Sequence, residues 1–288
     1  MQHFNQNIIN LYGDRGKKWL QSLPKLVQKY AEEWHLTWLS PFNDLTYNYV
    51  LSGYQNKKQV ILKISPDSES LKREANALVA FAGHSCVTLY ASKNEALLLE
   101  KAIPGQSLKN YFNHRDEEAV YITANLIEKL HKVTLPIQGQ FSHISDWLVL
   151  LDKDLNIPMQ YLQKARDLKK YLLETTPKNV LLHGDLHHDN ILSHEKDWIA
   201  IDPKGVIGDP AYEISAFIRN PIPDLLLVPN AKEIIESRIA FFSDKLNISP
   251  KRIAQWNYVQ STLAWAWALE DGCDSNYYKN FTEICDLF

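Results

Sequence analysis

Residues 181–192, LLHGDLHHDNIL, set His183, His187 and His188 among Asp185, Asp189 and Asn190. Two chemistries compete for such a set. Imidazoles bind zinc, and His183 and His187 stand four apart, the spacing that puts two side chains on one face of a helix. Yet Gly184 and the strand-like apolar run before it argue against a helix, and the glutamate of an H-E-x-x-H motif is absent. The other chemistry uses oxygen. Asp185 is followed five positions later by Asn190, and a second apolar run, WIAID, delivers Asp202 at its end. An acidic proton acceptor beside oxygen donors suits a hard cation better than a soft one.

Asp185 and Asn190 lie in the string H-G-D-L-x-x-x-N, which matches the Asp-to-Asn spacing of the kinase loop H-R-D-L-x-x-x-N. There the Asp accepts the proton of a substrate hydroxyl and the Asn helps to hold Mg²⁺. Asp202 is then the second Mg²⁺ ligand, and the histidines need no metal. Such a site also needs a lysine for phosphates and a glutamate to orient it. QVILK (59–63) is a strand ending in Lys63, much like the V-A-I-K strand of kinases. In the following helix the apolar stripe Leu71, Ala75, Leu78, Val79 and Ala82 contains Glu74. A carboxylate turned inward requires a partner, and Lys63 is the natural one.

The elements that must position these residues divide into two characters. Residues 14–35 carry apolar residues at helical spacing, with Pro24 as a kink or second start. Residues 47–64 read as two strands around a Gly/Asn turn. SPDSESLKREANALVAFAG reads as a capped helix closing on Gly83, and CVTLYAS and ALLLEKA as two short strands. From about residue 105 the pattern is mostly helical, interrupted by NVLLHGD and WIAID. The expected fold is α+β and bilobal: a β-rich lobe with a helical extension over 1–101, and a helical lobe over 102–288.

The 288 residues carry a net charge of −3, which gives no general attraction to nucleic acid or to an anionic membrane. The amino terminus lacks a signal-peptide core, and the most apolar segment, STLAWAWAL, is too short to span a bilayer. Three cysteines, Cys86, Cys273 and Cys285, form no disulfide framework, so the cytoplasm is the expected compartment.

Taken together, these strings resemble the aminoglycoside phosphotransferase family, which has a protein-kinase-like fold. IDPKGVIGDPAYEI, ALLLEKAIPGQSL and WALEDG are similar to the metal-binding segment, hinge and C-terminal helix of its streptomycin and hydroxyurea phosphotransferase branch. The resemblance spans nearly the whole chain. It implies ATP-dependent, Mg²⁺-assisted phosphoryl transfer to a hydroxyl of a small, often cationic, molecule, with a streptomycin-like aminoglycoside as the leading acceptor. It implies Asp185 as catalytic base, Asn190 and Asp202 as Mg²⁺ ligands, and Lys63 on the ATP phosphates with Glu74 orienting it. It also implies adenine contacts from the Glu100 carbonyl and the Ala102 amide. One departure is the absence of a glycine-rich phosphate loop: SPFNDLTYNYVL (40–51) contains no glycine. Another is Pro203 where protein kinases carry the Phe of D-F-G.

Several residues carry two readings. His183 reads as a brace for the loop. His188 either faces the acceptor or is an exposed loop residue. Asp209-Pro210 reads as a helix start that anchors the catalytic loop. Glu270 and Asp271, before Gly272, place negative charge at a helix C-terminus, where the helix dipole opposes it. They serve either a cationic acceptor or only an exposed helix end. Three other functions compete: a metabolite kinase acting on an amino alcohol, sugar or glycated amine; a non-catalytic nucleotide-binding module; and a histidine-based metallohydrolase.

Overall fold

The computed structural model describes residues 1–135 and 141–287. The chain divides into two compact units, one of residues 1–83 and 87–103, the other of 84–86 and 104–288. His84–Cys86 joins the second unit because Cys86 bridges Ala200 and the Ala200 amide donates to the Ser85 carbonyl.

The first unit contains α1 (Gln2–Glu33), β1 (Leu36–Pro41), β2 (Tyr49–Gln55), β3 (Lys58–Ile64), α2 (Ser68–Ala80), β4 (Leu89–Lys93) and β5 (Ala96–Glu100). The strands form one antiparallel sheet in the order β1-β2-β3-β5-β4. α1 begins twelve residues before the expected helix, because the break lies at Gly13 (φ +55°) and not at Pro24. A Cβ at Gly16 would stand 2.5 Å from the Ile8 carbonyl oxygen, so only glycine permits the two halves of α1 to meet there. That contact seats Phe4 and Ile8 with Trp19, Leu23 and Tyr30 in a core shared with Leu51, Val60, Leu62 and Leu98 of the sheet. α2 starts where the Asp67 carboxylate accepts from the Ser70 amide. Its buried face is Leu71, Glu74, Ala75, Ala77 and Leu78, whereas Val79, expected on that stripe, is exposed.

The second unit contains β6 (Pro104–Ser107), α3 (Asp116–Leu130), β7 (Ser142–His143), α4 (Ile144–Leu148), α5 (Met159–Glu174), β8 (Val180–Leu182), β9 (Ile191–His194), β10 (Asp197–Ala200), β11 (Val206–Gly208), α6 (Pro210–Ile218), α7 (Ala231–Leu246), α8 (Pro250–Glu270) and α9 (Asn276–Cys285). Two small sheets, β10-β9-β6 and β7-β11-β8, frame residues 183–190. α8 is buried without a break from Trp256 to Ala266, and the polar Asn257, Gln260, Ser261 and Thr262 within that stretch all make hydrogen bonds. Among the described residues no helix is long and apolar enough to cross a membrane.

Arg238 shows how this unit tolerates internal charge. Its side chain is fully buried, yet it pairs with Asp116 at 2.6 Å and donates to the Phe217, Ile218 and Asn220 carbonyls at the end of α6. A buried guanidinium is stable only with its donors spent in this way.

Candidate active site

In the first unit, Lys63 and Glu74 meet. The Lys63 Nζ lies 2.7 and 2.9 Å from the two Glu74 carboxylate oxygens, and both residues are buried. β3 supplies the lysine from its penultimate position, and α2 turns the glutamate onto its apolar face. Glu100 ends β5 in the same unit. Its Oε2 accepts from the Thr88 amide and hydroxyl, which ties the strand end to the segment before β4. Among the described residues the buried Ala102 amide donates no hydrogen bond, so it can serve a ligand acceptor.

In the second unit, residues 183–190 are shaped by hydrogen bonds rather than by regular structure. The His183 imidazole is fully buried. Its Nε2 lies 2.8 Å from the Ile201 carbonyl, and its Nδ1 accepts from the Asp185 amide. Burial lowers its pKa, in keeping with a neutral ring that donates at one nitrogen and accepts at the other. The Asn190 amide group donates to the Asp185 carbonyl at 2.9 Å, and the Ile201 amide donates to the Asn190 carbonyl. Asp202 is therefore attached directly to a residue pinned on both sides, and it adopts a left-handed backbone (φ +59°). Lys204 and Gly205 both donate from their main chain to the His183 carbonyl. Thus Asp185, Asn190 and Asp202 sit on two segments laced together backbone to backbone.

The residue that organises this lacing was missed in the sequence. Glu213, on the first turn of α6, is 1% exposed and sends its carboxylate into the loop. It accepts from the His183 amide at 2.6 Å and the Gly184 amide at 2.9 Å. Gly184 has φ +85°, and a Cβ there would meet Trp147 at 3.0 Å and Val206 at 3.1 Å. The only available signal was the E of IDPKGVIGDPAYEI, whose partners, being main-chain amides, have no side-chain signature.

Other expectations are corrected. His188 neither lines an open acceptor site nor is exposed: it is 0% exposed and stacked on Phe217 with centroids 3.9 Å apart. Burial, with the Arg238 guanidinium nearby, holds its pKa well below the ordinary histidine value. Asp209 caps α6 as expected, but it holds Arg252 and Trp256 of α8 rather than the catalytic loop. Glu270 pairs with Lys153 at 2.8 Å on the surface, whereas Asp271 is exposed at the end of α8.

The donor set suits Mg²⁺. The Asn190 amide nitrogen is engaged, and among the described residues its Oδ1 accepts no hydrogen bond. An amide oxygen, with the Asp202 carboxylate one residue beyond the pinned Ile201, is hard-donor chemistry. Among the described residues no three His, Cys, Asp or Glu side chains form a metal-holding group.

This geometry agrees with what the chain resembles. Residues 48–272 match the pattern of the aminoglycoside/hydroxyurea antibiotic resistance kinases. The chain belongs to that family. It is 23% identical over 275 residues to a streptomycin 6-kinase of Streptomyces glaucescens, covering 91% of this chain and 88% of the relative. It is 26% identical over 234 residues to a streptomycin 3''-kinase of Klebsiella pneumoniae, covering 78% and 85%. Among solved structures, choline kinase LicA of Streptococcus pneumoniae superimposes with a TM-score of 0.68 at 16% identity, covering 92% of this chain and 99% of that one. A thermostable mutant of aminoglycoside phosphotransferase APH(4)-Ia, in ternary complex with AMP-PNP and hygromycin B, gives 0.67 at 15% identity, covering 90% and 96%. These likenesses establish the α+β, protein-kinase-like fold of the family member.

Proposed function

We propose that this family member is an ATP-dependent kinase that transfers the γ-phosphoryl group to a hydroxyl of a streptomycin-like aminoglycoside, and so inactivates it. The observation that carries this reading is the laced pair of segments that presents Asp185 beside Asn190 and Asp202. The streptomycin kinases among its relatives favour the acceptor class, and the AMP-PNP complex of a structural neighbour favours ATP.

Asp185 takes the proton of the acceptor hydroxyl as its oxygen bonds to the γ-phosphorus and ADP departs. The Glu213 clamp fixes the backbone from which Asp185 projects. Lys63, oriented by Glu74, binds ATP phosphates, and the Glu100 carbonyl and Ala102 amide bind the adenine edge. Asn190 and Asp202 would hold Mg²⁺, which supplies charge neutralisation to the phosphate oxygens. Asp271, with Glu270 at its side, meets a cationic group of the acceptor.

A coupled ADP-release assay over streptomycin, other aminoglycosides, amino alcohols and sugars tests this directly. Streptomycin should give the highest kcat/KM. Asp185→Ala should lower the rate by ~10²–10⁴-fold, the usual contribution of a general base, and leave ATP binding intact. Near-native turnover in that variant would remove the assignment, and preference for an amino alcohol or sugar would redirect it to a metabolite kinase.

A further inference from the structure

Lys204 and His187 flank Asp185, the reading above gives neither a task, and Lys204 is the nearer and the cationic one. Its Nζ stands 3.6 Å from Asp185 Oδ2, while His187 Nε2 stands 3.9 Å from Oδ1 on the other side. At 3.6 Å the ammonium attracts the carboxylate without spending a hydrogen bond on it. Its side chain is 50% exposed and that of Asp185 is 29% exposed, so the pair contributes little to stability.

The main chain, in contrast, is tightly fixed. The Lys204 amide donates to the His183 carbonyl at 2.8 Å. Its Cβ lies 3.4 Å from the position that a Cβ on Gly184 would occupy. Two left-handed residues, Asp202 (φ +59°) and Gly205 (φ +66°), fold the segment back onto the loop. A backbone this constrained fixes the point from which the lysine side chain projects, while the side chain itself is half exposed. Lys204 thus extends from the segment that carries Asp202 to the carboxylate of Asp185.

We propose that Lys204 is a catalytic residue that donates to the equatorial oxygens of the phosphoryl group in transit. This inference rests on the kinase reading above. In the step, the acceptor O–H proton passes to Asp185, the acceptor oxygen bonds to the γ-phosphorus, and the bond from that phosphorus to the β-bridging oxygen breaks. The electron pair of that bond leaves with ADP, and Lys204 keeps its proton throughout. Negative charge spreads over the equatorial oxygens at the midpoint of this transfer, and a cation placed there stabilises the transition state more than bound ATP. The same ammonium keeps the Asp185 carboxylate turned toward the acceptor.

The test uses the full-length protein with Mg-ATP and whichever acceptor supports turnover. Lys204→Met should lower kcat by ~10³-fold, at the lower end of what a phosphoryl-directed cation supplies, with both KM values changed by less than about threefold, the pattern of an interaction made only in the transition state. Lys204→Arg should restore part of the loss. A second readout is independent of turnover: ADP with tetrafluoroaluminate, a mimic of the phosphoryl in transit, should bind Lys204→Met at least tenfold more weakly, while ADP alone binds unchanged. A kcat within threefold of native, or equal binding of the mimic, would overturn the proposal and leave Lys204 a surface ion pair. Asp185→Ala serves as the separate control. If the native protein transfers to no acceptor, both readings fall; if Asp185→Ala is inactive while Lys204→Met is not, only this one does.

Discussion

Glu74 in the first unit and Glu213 in the second are both buried carboxylates, and they are satisfied in opposite ways. Glu74 faces an ammonium, that of Lys63, at 2.7 Å. Glu213 faces two backbone amides, those of His183 and Gly184, with the His131 imidazole 3.6 Å away. The first arrangement is a matched pair of side chains and can be exchanged as a pair. The second is a side chain matched to the main chain and cannot, because no substitution removes an amide donor without introducing proline. One glutamate places a charge; the other imposes a backbone shape.

Substitutions separate these two modes. Glu213→Ala should have the largest effect. It leaves a buried amide and a part-buried one without their charged acceptor, at ~1.5–3 kcal/mol each, and chemical denaturation should show a loss of about that sum together with loss of phosphoryl transfer. Glu74→Ala should cost ~3–5 kcal/mol, because it removes the carboxylate that the buried Lys63 ammonium faces. The double variant Lys63→Met/Glu74→Leu should recover most of that stability, since apolar replacements of buried ion pairs are often neutral or better, while ATP affinity stays low. If the double variant proves as unstable as Glu74→Ala, the exchangeable character of the first pair is refuted. Acid should sharpen the contrast. The His188 ring is buried and neutral with a depressed pKa, so the unfolded chain takes up its proton first as pH falls below about 6.5. The stability that depends on a neutral His188 is complete above that pH and declines below it, by at most about 1.4 kcal/mol per pH unit. His188→Phe should flatten the profile between pH 7 and 5. Glu270→Gln should have the smallest effect, leaving the melting temperature unchanged, because its pair with Lys153 is on the surface.

The same contrast explains what was legible in the sequence. Lys63 and Glu74 were readable because each is an anomaly within a pattern: a lysine ending an apolar strand, and a glutamate inside a helical stripe. Asp185, Asn190 and Asp202 were readable from spacing and from apolar runs that end in acid. Glu213 was not, since its partners are amides that every residue but proline carries. His188 was misplaced because a polar loop suggests exposure, whereas the Phe217 ring and α7, which carries Arg238, cover it. The short strands β6, β7 and β11 were missed because two to four residues are too few for a periodic signal. The two-part helix α1 was shortened because its turn at Gly13 interrupts the period.

That turn has a practical consequence for anyone preparing the protein. The family pattern covers residues 48–272, which excludes all of α1, β1 and α9. Yet α1 supplies Phe4, Ile8, Trp19, Leu23 and Tyr30 to the core, β1 is the neighbour that covers the edge of β2, and α9 packs on α8 and buries Phe281 within the second unit. An expression fragment trimmed to the matched residues would expose a bare sheet edge and two apolar faces at once, and its fate in the cell is aggregation rather than folding.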